Sequence, residues 1–188
     1  EEKIFSKFDL TGRTAVITGG AGLLGKEHAY AIAEAGGIPV LVDIQKDFAE
    51  KLANNIQQKF KVPALAVGCD ITKKIEVKNL LDLVLRRFGR VDILINNAAN
   101  DDRHSTDQVD EKYWNNRMDV NLKHFFFTIK SVLGGMIKNR NGSIVNLSSV
   151  SWMIGEGDKV AYETAKSAVI GLTRSFAREF GKYNIRCN

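Results

Sequence analysis

Short apolar runs alternate along this chain with longer stretches of helical pattern. Residues 14–18 (Thr-Ala-Val-Ile-Thr) are apolar and partly β-branched, and a glycine cluster ends them, which suits a strand buried on both faces. Residues 23–35 have helical composition and are closed by Gly36-Gly37. A second strand is predicted over 38–43, with Pro39 tolerable near its start, then a helix over 46–60 and a third strand over 64–67. Thr72 is placed to cap a helix running to Phe88, with Glu76 near its first turn. Residues 91–95 form strand four, 111–138 one long helix, 143–147 strand five, 162–180 another helix and 184–188 the start of strand six. Such alternation predicts a single α/β domain, a doubly wound parallel sheet with helices on both faces. No repeat, low-complexity segment or linker interrupts it. The chain does not begin with Met and stops as strand six starts, so the expectation is that residues are missing at both ends, including the C-terminal part of the domain.

Composition narrows the class. With 188 residues and 44% hydrophobic content the chain can bury a full core. No apolar run approaches the ~20 residues needed to span a bilayer, and the first residues do not read as a secretory signal. Cys69 and Cys187 lie far apart in or beside strand-like runs, which reads as buried free thiols and a cytoplasmic protein. His28, His104 and His124 are isolated, so no metal site is expected and each is read as a surface or packing residue. The net charge of +5 is scattered, with nothing longer than Lys73-Lys74 and Arg86-Arg87. That pattern argues against a nucleic-acid binder and mildly favours anionic small ligands.

The chemistry starts at the first turn. Thr18-Gly19-Gly20-Ala21-Gly22-Leu23-Leu24-Gly25 joins strand one to the first helix. Glycines there allow a tight turn and close approach to a pyrophosphate, and the helix N-terminus offers free N–H groups. Gly19, Gly22, Leu23, Leu24 and Gly25 are therefore candidate cofactor contacts. Asp43 ends strand two, close to the ~20-residue offset of the acid that binds the adenosine ribose hydroxyls. Its carboxylate would repel a 2′-phosphate, and no Arg or Lys lies within 18–25 to offset that, so NAD is favoured over NADP. Ile44, beside it, is included among the contacts.

With four further motifs the chain resembles the short-chain dehydrogenases/reductases. Cys69-Asp70-Ile71 follows strand three, where the family places an Asp against the adenine. Asn96-Asn97-Ala98-Ala99 follows strand four and is similar to the family's Asn-Asn-Ala-Gly signature, which adds Asn97, Ala98 and Ala99 as cofactor contacts. Asp119-Val120-Asn121 lies in the long helix, where the family keeps an Asn. Ser149, Tyr162 and Lys166 repeat the spacing of its catalytic residues. The resemblance spans residues 10–188 and implies a Rossmann fold. Leu23 departs from the Gly or Ala usual in the main branch, and the Gly19-x-x-Gly22-x-x-Gly25 spacing is more like the extended, sugar-nucleotide-modifying branch. The remaining motifs favour the main branch. Ala99 replaces the usual Gly.

Transfer of a hydride at a carbinol carbon needs an acid or base on the oxygen. Tyr162 is assigned that role. Lys166, one turn on, lies on the same helical face and favours the phenolate. The resemblance implies that Lys166 also binds the nicotinamide ribose, and that Asn121 holds a water linking Lys166 to solvent. Ser149 would hold the substrate oxygen, with Ser148 as the alternative. Residues 100–103 and 151–156 should border the substrate pocket, and their polarity favours a hydroxylated small molecule such as a sugar derivative, polyol or hydroxy acid. A sugar-nucleotide epimerase or dehydratase, and a non-catalytic NAD-binding protein, are the competing readings. A homodimer or homotetramer is expected, built through the two long helices, with Ala165, Ala168, Gly171 and Ala177 allowing close approach.

Overall fold

A computed structural model describes residues 4–188, with side chains from Ser6 onward. Six parallel strands form one sheet in the order β3-β2-β1-β4-β5-β6: β1 is Thr14–Thr18, β2 Ile38–Asp43, β3 Leu65–Gly68, β4 Ile93–Asn96, β5 Gly142–Asn146 and β6 Ile185–Cys187. The order reverses between β1 and β4, which opens the crevice at the carboxyl ends of the strands where ligands of such sheets bind. The helices are α1 (Leu23–Glu34), α2 (Lys46–Phe60), α3 (Lys74–Phe88), α4 (Glu111–Met118), α5 (His124–Asn139), α6 (Ser151–Ile154) and α7 (Val160–Phe180).

The alternation of the strands divides the core in two. Ala15, Ile17 and Leu41 face Ala29, Ile32 and Ala33 of α1 and Ala49, Ala53 and Ile56 of α2. Val16, Val40, Val42, Leu94 and Ile144 face the other way, onto α3 and α5, with Leu172 and Phe176 of α7 packed against them. The doubly wound single domain expected from the sequence is therefore the architecture found. Both cysteines are buried and free. Among the described residues no helix is long and apolar enough to cross a membrane.

Three local expectations are corrected. Thr72 does not cap α3: the helix starts at Lys74, and the Thr72 N–H and hydroxyl both donate to Asp70 Oδ1, at 3.0 and 2.6 Å. A carboxylate two residues back competes for the turn and takes it. Glu76 is in the first turn as expected, and its carboxylate accepts the Asp70 N–H at 2.7 Å. The long helix of 111–138 is not uniform, because a π-helical turn over Asp119–Lys123 separates α4 from α5. Of the small residues of α7, Ala165 is buried in this chain's own core and Ala177 packs against it, whereas Ala168 and Gly171 are exposed.

Candidate active site

The glycine turn is shaped by its neighbours. Gly19 has φ +63°, the left-handed region that favours glycine, and a Cβ there would stand 3.0 Å from both Ala98 Cα and Asn97 Nδ2. A methyl on Gly25 would run into the Gly19 carbonyl, so α1 can pack this close to the turn only with glycine at that position. Gly22 is the N-cap of α1, with no side-chain cap and no acid in the first turn. The first N–H groups of α1 thus face the crevice with the positive end of the helix dipole behind them. Leu23, Leu24 and Ile44 stand 83%, 57% and 74% exposed around this opening. A turn with no room for a Cβ at Gly19 or Gly25, a bare helix N-terminus and unpacked apolar side chains at the rim fit a dinucleotide.

Asp43 is buried at the end of β2. Its Oδ2 accepts the Ala21 N–H at 3.0 Å and its Oδ1 the Gln45 N–H at 2.9 Å, so the acid also fixes the glycine turn. Lys46, the next basic residue, pairs with Glu50 at 3.3 Å. At the end of β3, the hydroxyl of Thr72 is the main cause holding the Asp70 carboxyl below its ordinary range, with Lys73 adding to it. Ile71 follows, half-buried. Beyond β4, Thr18 Oγ1 accepts the N–H groups of Asn97 and Ala98 at 3.0 and 3.1 Å. The Asn97 amide returns two bonds, to the carbonyls of Thr18 and Gly19 at 3.0 and 3.1 Å. The Asn-Asn-Ala turn and the glycine turn are thereby one unit. Ala99, the next residue, is exposed.

Asn121 sits inside the π turn and is fully buried. Its Oδ1 accepts the Asn100 N–H at 2.8 Å and its Nδ2 donates to the Asn100 carbonyl at 2.9 Å. The side chain expected to hold a water is thus already engaged with the loop after β4. One turn on, the His124 Nε2–H donates to the Ala98 carbonyl at 3.2 Å. Burial, reinforced by the charge of Lys166, pulls the His124 imidazole down to about 3, so it is neutral at physiological pH.

At the far side of the crevice α7 lies against the end of β5. Lys166 is 1% exposed, and its Nζ donates to the Leu147 carbonyl at 2.7 Å. The same Nζ lies 5.6 Å from the centroid of the Tyr162 ring and 5.1 Å from that of Phe125. Burial pulls the Lys166 ammonium from 10.5 down to about 8. Ser148 and Ser149 are distinguished by their partners. The Ser148 hydroxyl donates to the Lys166 carbonyl at 2.8 Å and so braces the helix. Ser149 Oγ accepts the Ser151 N–H at 3.2 Å and lies 2.9 Å from Ser151 Oγ, at the N-terminus of the short α6. Ser149 Oγ thus keeps its contacts within the turn that starts α6, whereas the Ser148 hydroxyl is committed to the backbone of α7.

The two segments expected to border a pocket are joined. Arg103 pairs with Glu156 at 3.0 Å, and the His104 N–H donates to the Asp158 carbonyl at 2.7 Å. Glu156 also pairs with Lys159 at 2.6 Å, and Lys159 Nζ lies 5.9 Å from the Tyr162 ring centroid. Sequence reasoning missed Thr18, His124 and Lys159. Lys159 had a readable signal, since it precedes Tyr162 by one helical turn as Lys166 follows it by one.

Comparison with known proteins agrees with this geometry. Residues 13–188 match the short chain dehydrogenase family. The chain is 37% identical over 177 residues to a D-xylose 1-dehydrogenase of Caulobacter vibrioides, covering 94% of this chain and 69% of that protein. A crystal structure of an NAD+-bound xylitol dehydrogenase superposes with TM-score 0.90 at 31% identity, covering 95% and 69%. That of an NADPH-dependent 3-quinuclidinone reductase from Rhodotorula rubra gives 0.94 at 29%, covering 100% and 71%. The chain belongs to the short-chain dehydrogenase/reductase family of oxidoreductases.

Proposed function

We propose that residues 1–188 form a dinucleotide-binding domain that also carries the catalytic residues of an NAD-dependent dehydrogenase or reductase. It acts on a C–OH/C=O pair of a small polyhydroxylated molecule, an aldose or polyol. The observation that carries this reading is the Tyr162–Lys166 pair, with Lys166 Nζ 5.6 Å from the ring centroid and bonded to the Leu147 carbonyl at the end of β5, two residues before Ser149. The D-xylose and xylitol dehydrogenases among its relatives support the substrate class.

Gly19, Gly22, Leu23, Leu24 and Gly25 would hold the pyrophosphate side of the dinucleotide, Asp43 and Ile44 the adenosine ribose, Asp70 and Ile71 the adenine, and Asn97, Ala98 and Ala99 the nicotinamide side. The bound nicotinamide supplies the hydride donor or acceptor. Ser149 turns from Ser151 to the substrate oxygen and shares its developing charge. Tyr162 takes the proton from the alcohol in oxidation and returns it in reduction. Lys166 holds its charge near the phenol and would be the group to bind the nicotinamide ribose. Asn121 positions the loop after β4 through Asn100, and its backbone in the π turn is left to hold the relay water. Asp43 favours NAD because a carboxylate already fixed by two N–H groups cannot leave a 2′-phosphate's path. We also assign the protein to the cytoplasm, where buried free thiols persist, and to a homo-oligomer.

The test is a screen of the protein with NAD+ and NADP+ against pentoses, hexoses, polyols and hydroxy acids, following reduced-nicotinamide absorbance. Turnover of an aldose or polyol with NAD+ is the expected result. Turnover confined to apolar alcohols, or to NADP+, would overturn the assignment.

A further inference from the structure

Lys159 is a buried charge that the site as read above does not use. Its side chain is 7% exposed, although lysine is rarely buried without a partner. It is also the N-cap residue of α7, at the positive end of the helix dipole, where a cation is disfavoured. Two contacts account for its place. Glu156 Oε2 lies 2.6 Å from its Nζ, and the Nζ lies 5.9 Å from the Tyr162 ring centroid. Lys159, Tyr162 and Lys166 follow one another along one face of the helix. The ring therefore has a buried ammonium one turn before it and another one turn after it, the second at 5.6 Å.

Several other charged groups lie close in the chain or on the elements packed here, Asp158 next to Lys159 among them. Glu156 is shared, because Arg103 from the loop after β4 also holds it at 3.0 Å. The Arg103–Glu156–Lys159 group is thus net positive. Glu163, next to Tyr162, has its carboxylate on the Glu156 N–H at 3.0 Å. From α5, His124 is neutral, and from α4, Arg117 is turned to Asp102 at 3.0 Å.

We propose that Lys159 is a positioning residue for Tyr162: held by Glu156, it supplies a second positive charge that stabilises the phenolate formed when Tyr162 gives its proton to the substrate oxygen. In this step the phenolic O–H bond breaks and an O–H bond forms on the substrate, and in oxidation the proton returns. The inference rests on Tyr162 being the acid/base. Glu156 acts in opposition, since its charge offsets that of Lys159, and Arg103 limits how completely it does so.

The experiment is an ultraviolet difference titration of the protein against its Tyr162→Phe variant, which isolates one of four tyrosines and needs neither cofactor nor substrate. At a fixed pH below the midpoint, Lys159→Met should reduce the phenolate fraction of Tyr162 about tenfold, as loss of a unit charge near a half-buried ring predicts. Lys159→Arg should restore it. Glu156→Gln should move it the other way, which a merely structural pair would not do. If Lys159→Met does not fold, Lys159→Gln and Glu156→Gln carry the same opposed signs. Titrations of the Lys159 and Glu156 variants that coincide with the parent, or that shift in the same direction, overturn the proposal. Separately, wild-type turnover by Tyr162→Phe would remove Tyr162 as acid/base while leaving the charge measurement to stand by itself.

Discussion

The Asn121 carboxamide and the Asn100 peptide unit hold each other by two hydrogen bonds, 2.8 Å to the N–H and 2.9 Å from the carbonyl. A side-chain amide here completes what a neighbouring strand would otherwise supply to the chain leaving β4. The π turn makes this possible, because its extra residue rotates Asn121 inward. Such turns are frequent at functional sites.

Asn121→Ala should therefore act first on the loop. It leaves both polar groups of Asn100 without partners in a half-buried position, a loss of about 2 kcal/mol. Denaturant unfolding should register that loss, and hydrogen exchange should place it at residues 97–104. A variant with parental stability and exchange but reduced turnover would point instead to a direct role for the amide.

Asp43→Ala should narrow the preference between the two cofactors. The parent is expected to use NAD+ with higher kcat/KM than NADP+, because the buried carboxylate meets a 2′-phosphate with like charge. Removing it relieves that repulsion and also frees the Ala21 N–H, so NAD+ use should fall as NADP+ use rises. Equal use of the two by the parent would remove Asp43 as the selector.

The groove between α5 and α7 bears on assembly. Phe126 is 43% exposed at its edge, 5.8 Å from the Phe176 ring, and Phe180 continues the row at 5.7 Å. Ala168 and Gly171, left exposed on α7, fit the close approach of a second copy. If the proposed oligomer forms through this groove, Phe126→Glu should place a charge in it and shift the protein towards monomer in sedimentation. Sedimentation of the full-length protein only as a monomer would contradict the oligomer itself.

How far the sequence reached depended on the range of the interaction. Strands such as Thr14–Thr18 and the helices facing them were legible because burial on one or two faces writes a period into the residues themselves. Gly19 and Gly25 were legible because backbone shape restricts the residue type. Thr72 misled because capping and Asx-turn chemistry use the same residues, and Asp70 decided between them. The π turn has no periodic signature of its own. The partner of Asn121 is a backbone group 21 residues away, and the Arg103 that shares Glu156 with Lys159 is 53 residues from that acid. Such pairings arise only once the chain has folded.

His124 should make the protein sensitive to acid. Burial, with Lys166 beside it, lowers its folded-state value to about 3 from the ordinary 6.5. Between those values the unfolded chain binds a proton that the folded one refuses, so stability is present above about 6.5 and is lost as the pH falls towards 3. Within that window the slope is about 1.4 kcal/mol per pH unit. His124→Gln keeps a donor for the Ala98 carbonyl and removes the titration, so its stability should fall less steeply over the same range. Parallel curves for the two proteins would mean that the folded imidazole takes up its proton as readily as the unfolded one, and that burial does not hold it neutral.

Tyr162→Phe should abolish turnover while sparing cofactor binding. The substitution removes one oxygen and keeps the ring on which Lys159 and Lys166 are arranged, so packing survives. The missing hydroxyl matters only when a proton moves. The loss should therefore fall on kcat, by about 10²–10⁴-fold as for general acid–base groups, with little change in the NAD+ dissociation constant. Lys166→Ala should differ. It removes the bond to the Leu147 carbonyl, empties a fully buried position and takes away the group proposed to reach the ribose. NAD+ binding and kcat should then fall together, accompanied by a lower melting temperature. Calorimetric titration with NAD+ beside steady-state rates separates the two patterns. If Tyr162→Phe weakened NAD+ binding as strongly as turnover, the hydroxyl would belong to the cofactor site rather than to the proton step.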